Sequence, residues 1–382
     1  MGQRIYADYA ATTPLCGEAL SAMQEALSSL YGNPSSPYEE GRAAKRRLEE
    51  ARHRMAVCLG ARPDELFFTS GGSEADNWAL RGMAAVCRRL GKRRIVSSAI
   101  EHHAVLRTLN ALEQEGFEVE LLAPFADGRI RMEQVEAALG SDTGLCSLMY
   151  ANNETGVLQP VEEVGALCRK RGIFFHTDAV QAVGHVPFDL AQQPFDLFSC
   201  SAHKFGGPKG VGALYIRRGL RPEPLISGGG QERGQRAGTE NVPGILGMAA
   251  ALEASCGCME AEAARIGRLR DLLIRQVQAA LPEAVVFGAE QERLPGHAAF
   301  GFPGLSGELL VTMMDQEGVS VSAGAACSSG AAEPSHVLRA MGIEDALSAS
   351  LLRVSLGKES GEAQILQLAD TLIAAVRRLK TL

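Results

Sequence analysis

Long apolar runs, paired cysteine motifs and a basic excess are all missing from this 382-residue sequence. The most apolar stretch, Ile245 to Leu252, is too short to span a bilayer. The opening Met1-Gly2-Gln3-Arg4-Ile5-Tyr6-Ala7-Asp8 carries charge too early for a secretory apolar core, and Tyr6 stands where a myristoylation signal needs Ser or Thr. The expectation is a cytoplasmic protein that contacts no membrane. A formal net charge of -7 argues against a nucleic-acid surface, which needs a basic excess. Arg42, Lys45, Arg46, Arg47, Arg52 and Arg54 do crowd one segment, but acidic residues interleave with them, as on a solvated helix face. The nine cysteines, at 16, 58, 87, 146, 168, 200, 256, 258 and 327, include no CxxC spacing, which disfavours a disulfide framework or tetrahedral zinc site. Cys256 and Cys258 lie in a helix-like apolar stretch and read as small buried hydrophobes rather than metal ligands.

What is present describes a globular protein with a full core, 46% hydrophobic and 22% charged, long enough for one large domain and a smaller one. Short β-rich runs alternate with helical periodicity through the first two thirds. The strands are expected at Leu66–Ser70, Arg94–Ser98, Glu118–Ala123, Leu145–Tyr150, Ile173–Asp178, Asp196–Ser201 and Gly212–Ile216. Segments such as Glu74–Leu90, Ala104–Glu115, Met132–Leu139 and Val161–Lys170 have helical spacing between them. That alternation predicts an α/β fold with a seven-stranded, mostly parallel sheet covered on both faces. The last two strands are joined only by a glycine-rich turn, so that pair can be antiparallel. After Pro243 a helical run extends to about Leu281, and shorter strands and helices follow in a smaller α+β C-terminal domain. The division expected is residues 15–255 for the large domain, with 1–14 and 256–382 forming the small one.

Ligands in such sheets bind beyond the carboxyl ends of the strands, and the distinctive residues fall there. The first strand runs into Ser70-Gly71-Gly72-Ser73-Glu74 and then a helix, where backbone amides and the helix dipole favour an anion. A serine N-cap alone would account equally well for Ser73. The fifth strand ends in His176-Thr177-Asp178, and a carboxylate at the end of an apolar strand needs a cationic partner, unless it caps a helix. The sixth ends in Ser201-Ala202-His203-Lys204, followed by Phe205-Gly206-Gly207. Desolvation or a neighbouring positive charge can lower the pKa of an amine so placed, which suits Schiff-base chemistry. Lys209 is the rival lysine but has no comparable neighbours. Lysine, carboxylate and anion cup together point to an aldehyde-bearing phosphate cofactor.

The motifs carry a resemblance. The chain resembles the NifS/IscS-like cysteine desulfurases of the class V aminotransferase group, which use pyridoxal 5'-phosphate on fold type I. It does so through Tyr6–Pro14, Gly32-Asn33-Pro34-Ser35-Ser36, Glu101-His102-His103-Ala104 and Asn152-Asn153-Glu154-Thr155-Gly156. Ser201-Ala202-His203-Lys204, Gly228–Glu232, Arg236-Ala237-Gly238-Thr239 and Ser322–Cys327 continue the match. The resemblance implies that Lys204 bonds covalently to the cofactor and Asp178 pairs with its ring nitrogen. It gives Gln181 the ring hydroxyl, and has His102 stack on the ring and help move protons. Phosphate contacts fall to Gly72, Ser73, Ser201 and His203, with Thr239 supplied by a second subunit of a homodimer. Asn153 and Arg353 would hold the substrate carboxylate, a task that suits the planar arginine fork. Cys327 lies among Ala, Gly and Ser, a composition expected of a mobile loop at about 320–332. It would take sulfur from L-cysteine as a persulfide, leaving alanine. The segment Glu333-Pro334-Ser335-His336 after it resembles the subgroup that serves iron–sulfur cluster assembly. The expected recipient is thus a scaffold protein, with which Cys327 could transiently share a cluster; no resident metal is expected. Tyr9 and Tyr38 depart from the common Asn and His near the expected substrate entrance.

Other readings remain open at this point. A selenocysteine lyase or another class V aminotransferase would share the cofactor, and an inactive scaffold or partner protein would share only the fold. A nicotinamide enzyme is disfavoured because the first turn lacks GxGxxG spacing.

Overall fold

The computed structural model describes residues 4–324 and 334–381; Cys327 and its neighbours at 325–333 lie outside the described residues. The chain opens with β1 (Ile5–Tyr6), α1 (Gly17–Ser29) and α2 (Glu39–Leu59). Strands and helices then alternate through β2 (Leu66–Thr69), α3 (Gly72–Arg89), β3 (Arg94–Ser98), α4 (His103–Gln114) and β4 (Glu118–Leu122). They continue as α5 (Met132–Ala138), β5 (Thr143–Ser147), α6 (Val161–Arg171), β6 (Phe174–Asp178), β7 (Leu197–Ser201) and β8 (Gly212–Ile216). Strands β2 to β8 form one sheet in the order β2-β8-β7-β6-β5-β3-β4. Only the two pairs made by β8 are antiparallel. The reason for the β7–β8 pair is connection length: a short segment joins these two strands, whereas longer crossovers, helical except between β6 and β7, return the chain parallel elsewhere.

The period-two alternation of the central strands assigns their two faces. Phe175, Phe198 and Cys200 point into a core shared with α1, α2 and a later helix. Leu145, Leu197 and Leu214 point the other way, into a core with α3 and α4. His176 and Asp178 on β6, and Ser199 and Ser201 on β7, alternate with the first set and therefore project toward α3. One face of the sheet thus turns polar at its carboxyl end, directly under the start of a helix.

The helical run expected to reach Leu281 is two helices. α7 (Val242–Cys256) and α8 (Met259–Ala280) bend by 73° at Gly257–Cys258, where Cys258 leaves helical geometry at φ -128°, ψ 9°. α7 stays in the large core, while α8 turns into a second one. No single helix among the described residues is long and apolar enough to cross a membrane. The rest comprises β9 (Val285–Phe287), β10 (His297–Gly301), α9 (Gly307–Gln316), β11 (Val319–Ser320), α10 (His336–Ala340), α11 (Asp345–Ser348), β12 (Leu352–Ser355) and α12 (Glu362–Lys380). β12, β10 and β9 make an antiparallel sheet, while β1 pairs in parallel with β11. Ile5 shares a buried cluster with Leu273, Phe300, Leu310, Leu352 and Leu372, so the N-terminal arm packs with the C-terminal third.

Between β8 and α7 the chain follows a strained course, with Glu232 and Arg233 at φ 45° and 58°. A buried ion pair holds it there. Arg52 on α2 donates two hydrogen bonds to the Glu232 carboxylate, at 2.7 and 2.8 Å, and a third to Leu66 O at 2.8 Å. The Phe68 N–H donates to the same carboxylate at 2.9 Å. Removing one member of such a pair strands the other without water. Arg52→Ala is therefore expected to lower the unfolding free energy by about 3–5 kcal/mol, measured as a drop in the urea midpoint. A midpoint equal to that of the parent would show that the pair does not hold this segment.

Candidate active site

The polar face of β6 and β7 and the N-terminus of α3 enclose a cavity of about 190 Å³. Gly72, Ser73, His102, Asn153, Asp178, Gln181, Ser201, His203 and Lys204 all line it, together with Asp76 and Met149. Nine of the residues named from the sequence thus converge on one space although they come from well-separated parts of the chain. At Gly72 a Cβ would lie 2.6 Å from Val180 Cγ2, so glycine lets the helix start close against the β6 turn. The helix N-terminus there and the Ser73 hydroxyl offer hydrogen-bond donors at that end of the cavity.

Lys204 follows β7 on a 3-10 turn (Ala202–Lys204), and its Nζ donates to Ala10 O at 2.6 Å and Ala11 O at 2.9 Å. Gln181 donates to the same Ala10 carbonyl at 3.0 Å. The N-terminal arm therefore closes the lysine side of the cavity. Asp178 accepts the Val180 N–H at 2.9 Å. Burial pushes its carboxyl above the usual range, against the pull of His102, that N–H and Lys204. His102 caps α4 by accepting the Ala104 N–H on Nδ1 at 3.1 Å, which leaves Nε2 to carry the proton of the neutral ring. Desolvation is the main cause that lowers its pKa. Burial, with Lys204 and Lys209 nearby, takes His203 down to about 4. Its Nδ1 lies 3.2 Å from Thr12 Oγ1.

Three candidates stand apart from this cluster. Arg353, on β12, is buried but engaged: it donates to Asp8 Oδ1 at 2.8 Å and to Asn153 O at 2.9 Å, while its Nε has no partner. It thus reaches the cavity wall through Asn153. Thr239 is exposed and does not line the cavity of its own chain. Arg236 anchors the segment before it by donating to Glu74 at 2.8 and 3.0 Å. Cys327 lies outside the described residues. Sequence reasoning missed Asp76 and gave no role to Glu101 or His176, all at most 1% exposed. The spacing of Ser73 and Asp76, three apart on the first turns of a helix, was the available signal for the first.

A sequence profile for the class-V aminotransferases (Aminotransferase class-V) matches residues 5–368. The chain is similar to a protein of Dictyoglomus turgidum called cysteine desulfurase IscS, 44% identical over all of this chain and 97% of the relative. A cysteine desulfurase of Cereibacter sphaeroides is 45% identical with the same coverage. Among solved structures, a NifS-like protein superimposes with a TM-score of 0.92 at 37% identity over the full length of both chains. A structure described as SspA in complex with cysteine gives 0.81 at 34% identity, covering 92% of this chain and 98% of that one.

Glu101 accepts from Ser98 Oγ at 2.6 Å and from the Met149 N–H at 2.8 Å on one oxygen, while its other oxygen has no partner. Burial pushes its pKa up to about 8 from the ordinary 4.5. Across that window the folded protein keeps a proton that the unfolded chain has released. Stability present at low pH is therefore lost as pH rises toward 8, at up to about 1.4 kcal/mol per pH unit. Glu101→Gln keeps a neutral group in place and should flatten that decline. Thermal midpoints of parent and variant, compared from pH 5 to pH 8, should diverge in favour of the variant; parallel curves would refute a protonated Glu101.

Proposed function

The chain belongs to the class-V aminotransferase family, and from that membership we infer that it is a cysteine desulfurase, converting L-cysteine to L-alanine and passing the sulfur on. One observation carries the reading: a lysine, a buried carboxylate and a helix N-terminus from distant parts of the chain open into a single cavity. Enzymes of this family depend on pyridoxal phosphate, and the residues here suit that group. The Gly72–Ser73 helix start, Ser201 and His203 would receive its phosphate. Asp178 supplies the negative charge for a ring cation, and a buried carboxylate has need of that charge in return. Gln181 would reach the ring hydroxyl, His102 would cover the ring, and Lys204 would carry the covalent bond. When bound, the cofactor supplies an electron sink for the bond electrons of the substrate's Cα.

The rest of the chemistry belongs to the chain. Lys204 Nζ, once released from its bond, takes the Cα proton; the Ala10 and Ala11 carbonyls hold it on that side of the cavity. His102, neutral and with its proton on Nε2, can pass one on. Arg353 grips the substrate carboxylate by exchanging it for Asp8, its present partner, with Asn153 completing the clamp. The Cys327 thiolate attacks the substrate sulfur; the C–S bond breaks, its electrons stay with the carbon fragment that becomes alanine, and Cys327 is left as a persulfide. Thr239, turned away from its own cavity, serves the phosphate of a partner subunit in a homodimer. The sulfur acceptor is an iron–sulfur scaffold protein, and the reaction takes place in the cytoplasm.

The decisive test is incubation with cysteine, assaying alanine and sulfide together. One-to-one production is expected, whereas pyruvate and ammonia would indicate elimination instead. Cys327→Ala should abolish sulfide release, to below about 1% of the parent, and leave the cofactor's colour intact. Unchanged release would favour a lyase that needs no enzyme thiol. Borohydride reduction and peptide mapping should place the cofactor label on Lys204; a label on Lys209 would refute the assignment.

A further inference from the structure

Asp76 lies on α3, one turn beyond Ser73, and is 1% exposed in the wall of the cavity that Lys204 and Asp178 line. Its Oδ1 is buried with no hydrogen-bond partner among the described residues. The nearest group that could offset a charge is His176 Nε2, 3.6 Å away, on a ring that burial keeps neutral down to about 3. That ring is fixed at both nitrogens: Ser147 Oγ lies 2.9 Å from Nδ1 and Ser199 Oγ 3.0 Å from Nε2. The Ser199 hydroxyl also interacts with the Asp76 carboxyl. The other titratable groups facing Asp76 are acids, Asp178 on β6 and Glu101 before α4.

Asp76 and Asp178 line the same cavity, and a charge on Asp178 opposes ionisation of the buried Asp76. Asp178 is the better seat for the charge, since it accepts a backbone N–H and has His102 and Lys204 beside it. Asp76 has neither advantage, and the chain behind it, serine to histidine to serine, carries no charge. An uncharged Asp76 has an O–H to place: Oδ1 lies toward His176, while the second oxygen of this cavity-lining residue has no hydrogen bond among the described residues. We propose that Asp76 is a further cofactor-contacting residue: an uncharged carboxyl, positioned from behind by Ser199, His176 and Ser147, that donates a hydrogen bond to the molecule bound in the cavity. It leaves the single negative charge of this wall on Asp178. The inference rests on the reading of this cavity as a pyridoxal phosphate site.

The test titrates pyridoxal phosphate into the apoprotein of the parent, Asp76→Asn and Asp76→Leu, followed by absorbance, with thermal unfolding as the control for folding. The amide keeps a donor and cannot ionise, so Asp76→Asn should bind within about threefold of the parent, and the pH midpoint of its visible band should not move. Asp76→Leu should bind about tenfold more weakly, the loss of one hydrogen bond. Equal weakening in both variants would overturn the proposal by showing that the carboxylate charge is what counts. Parent-like binding by Asp76→Leu would overturn it too. Should the leucine variant not fold, the asparagine variant decides: a midpoint displaced by about one pH unit would mean that Asp76 is ionised. A parent apoprotein that fails to bind pyridoxal phosphate at all would sink the reading of the cavity rather than the role of Asp76.

Discussion

The buried carboxyl of Asp178 is the constraint around which this cavity is arranged. A carboxylate under a sheet's edge, out of water, stands only if cations and N–H groups answer it. The Val180 N–H, His102 and Lys204 each contribute, yet burial still outweighs them, and the carboxyl sits above its ordinary range. Asp76 shares that wall and Glu101 is buried behind it, both pushed upward chiefly by burial. An acid-rich cavity with one lysine has an appetite for a further cation. The protonated ring nitrogen of the proposed cofactor would meet it, easing the cost of burying these acids in the free protein.

That tension is confined by the way the strands alternate. Phe175, Phe198 and Cys200 turn away into the main core, which obliges His176, Asp178, Ser199 and Ser201 to face α3. The polar side chains of β6 and β7 are therefore a consequence of register, and α3 meets them with glycine, serine and aspartate where its later turns bring Trp78 and Met83. The N-terminal arm completes the enclosure. Its Ala10 and Ala11 carbonyls hold Lys204, while Asp8 reaches Arg353 on β12. One stretch of four residues thus holds both Lys204 in the cavity and Arg353 beside it.

Much of this was legible in the sequence because strong local patterns encode it. All seven strands of the large sheet were placed, with β3 and β8 at their observed limits. The expected fourth strand, Leu145–Tyr150, is found at Thr143–Ser147, beginning two residues and ending three residues earlier, since the chain leaves the sheet to form the turn around Asn152. The break between α7 and α8 was not read, because a helical periodicity runs unbroken across a single glycine and the bend is set by which of two cores each half must enter. Lys204, Asp178 and Ser73 announced themselves as polar residues at strand and helix ends. Asp76 did not: one acidic residue in a helix looks like any solvent-facing one until the sheet beneath it is in place.

Order far from the cavity follows from the same economy of buried charge. Glu232 and Arg233 occupy left-handed backbone conformations that a side chain disfavours, and they persist because Arg52 and the Phe68 N–H leave the Glu232 carboxylate nowhere else to go. Four residues later, Arg236 closes on Glu74, the neighbour of Ser73 in the anion cup. A glycine-rich segment is thereby fastened at two points, one in the core and one at Glu74, beside Ser73, while Thr239 three residues on stays exposed. Fastening costs conformational entropy that an exposed loop serving only its own chain has no reason to lose. Rigid presentation of Thr239 makes physical sense if its target lies on another subunit, where a threonine held in place binds phosphate without first having to be ordered.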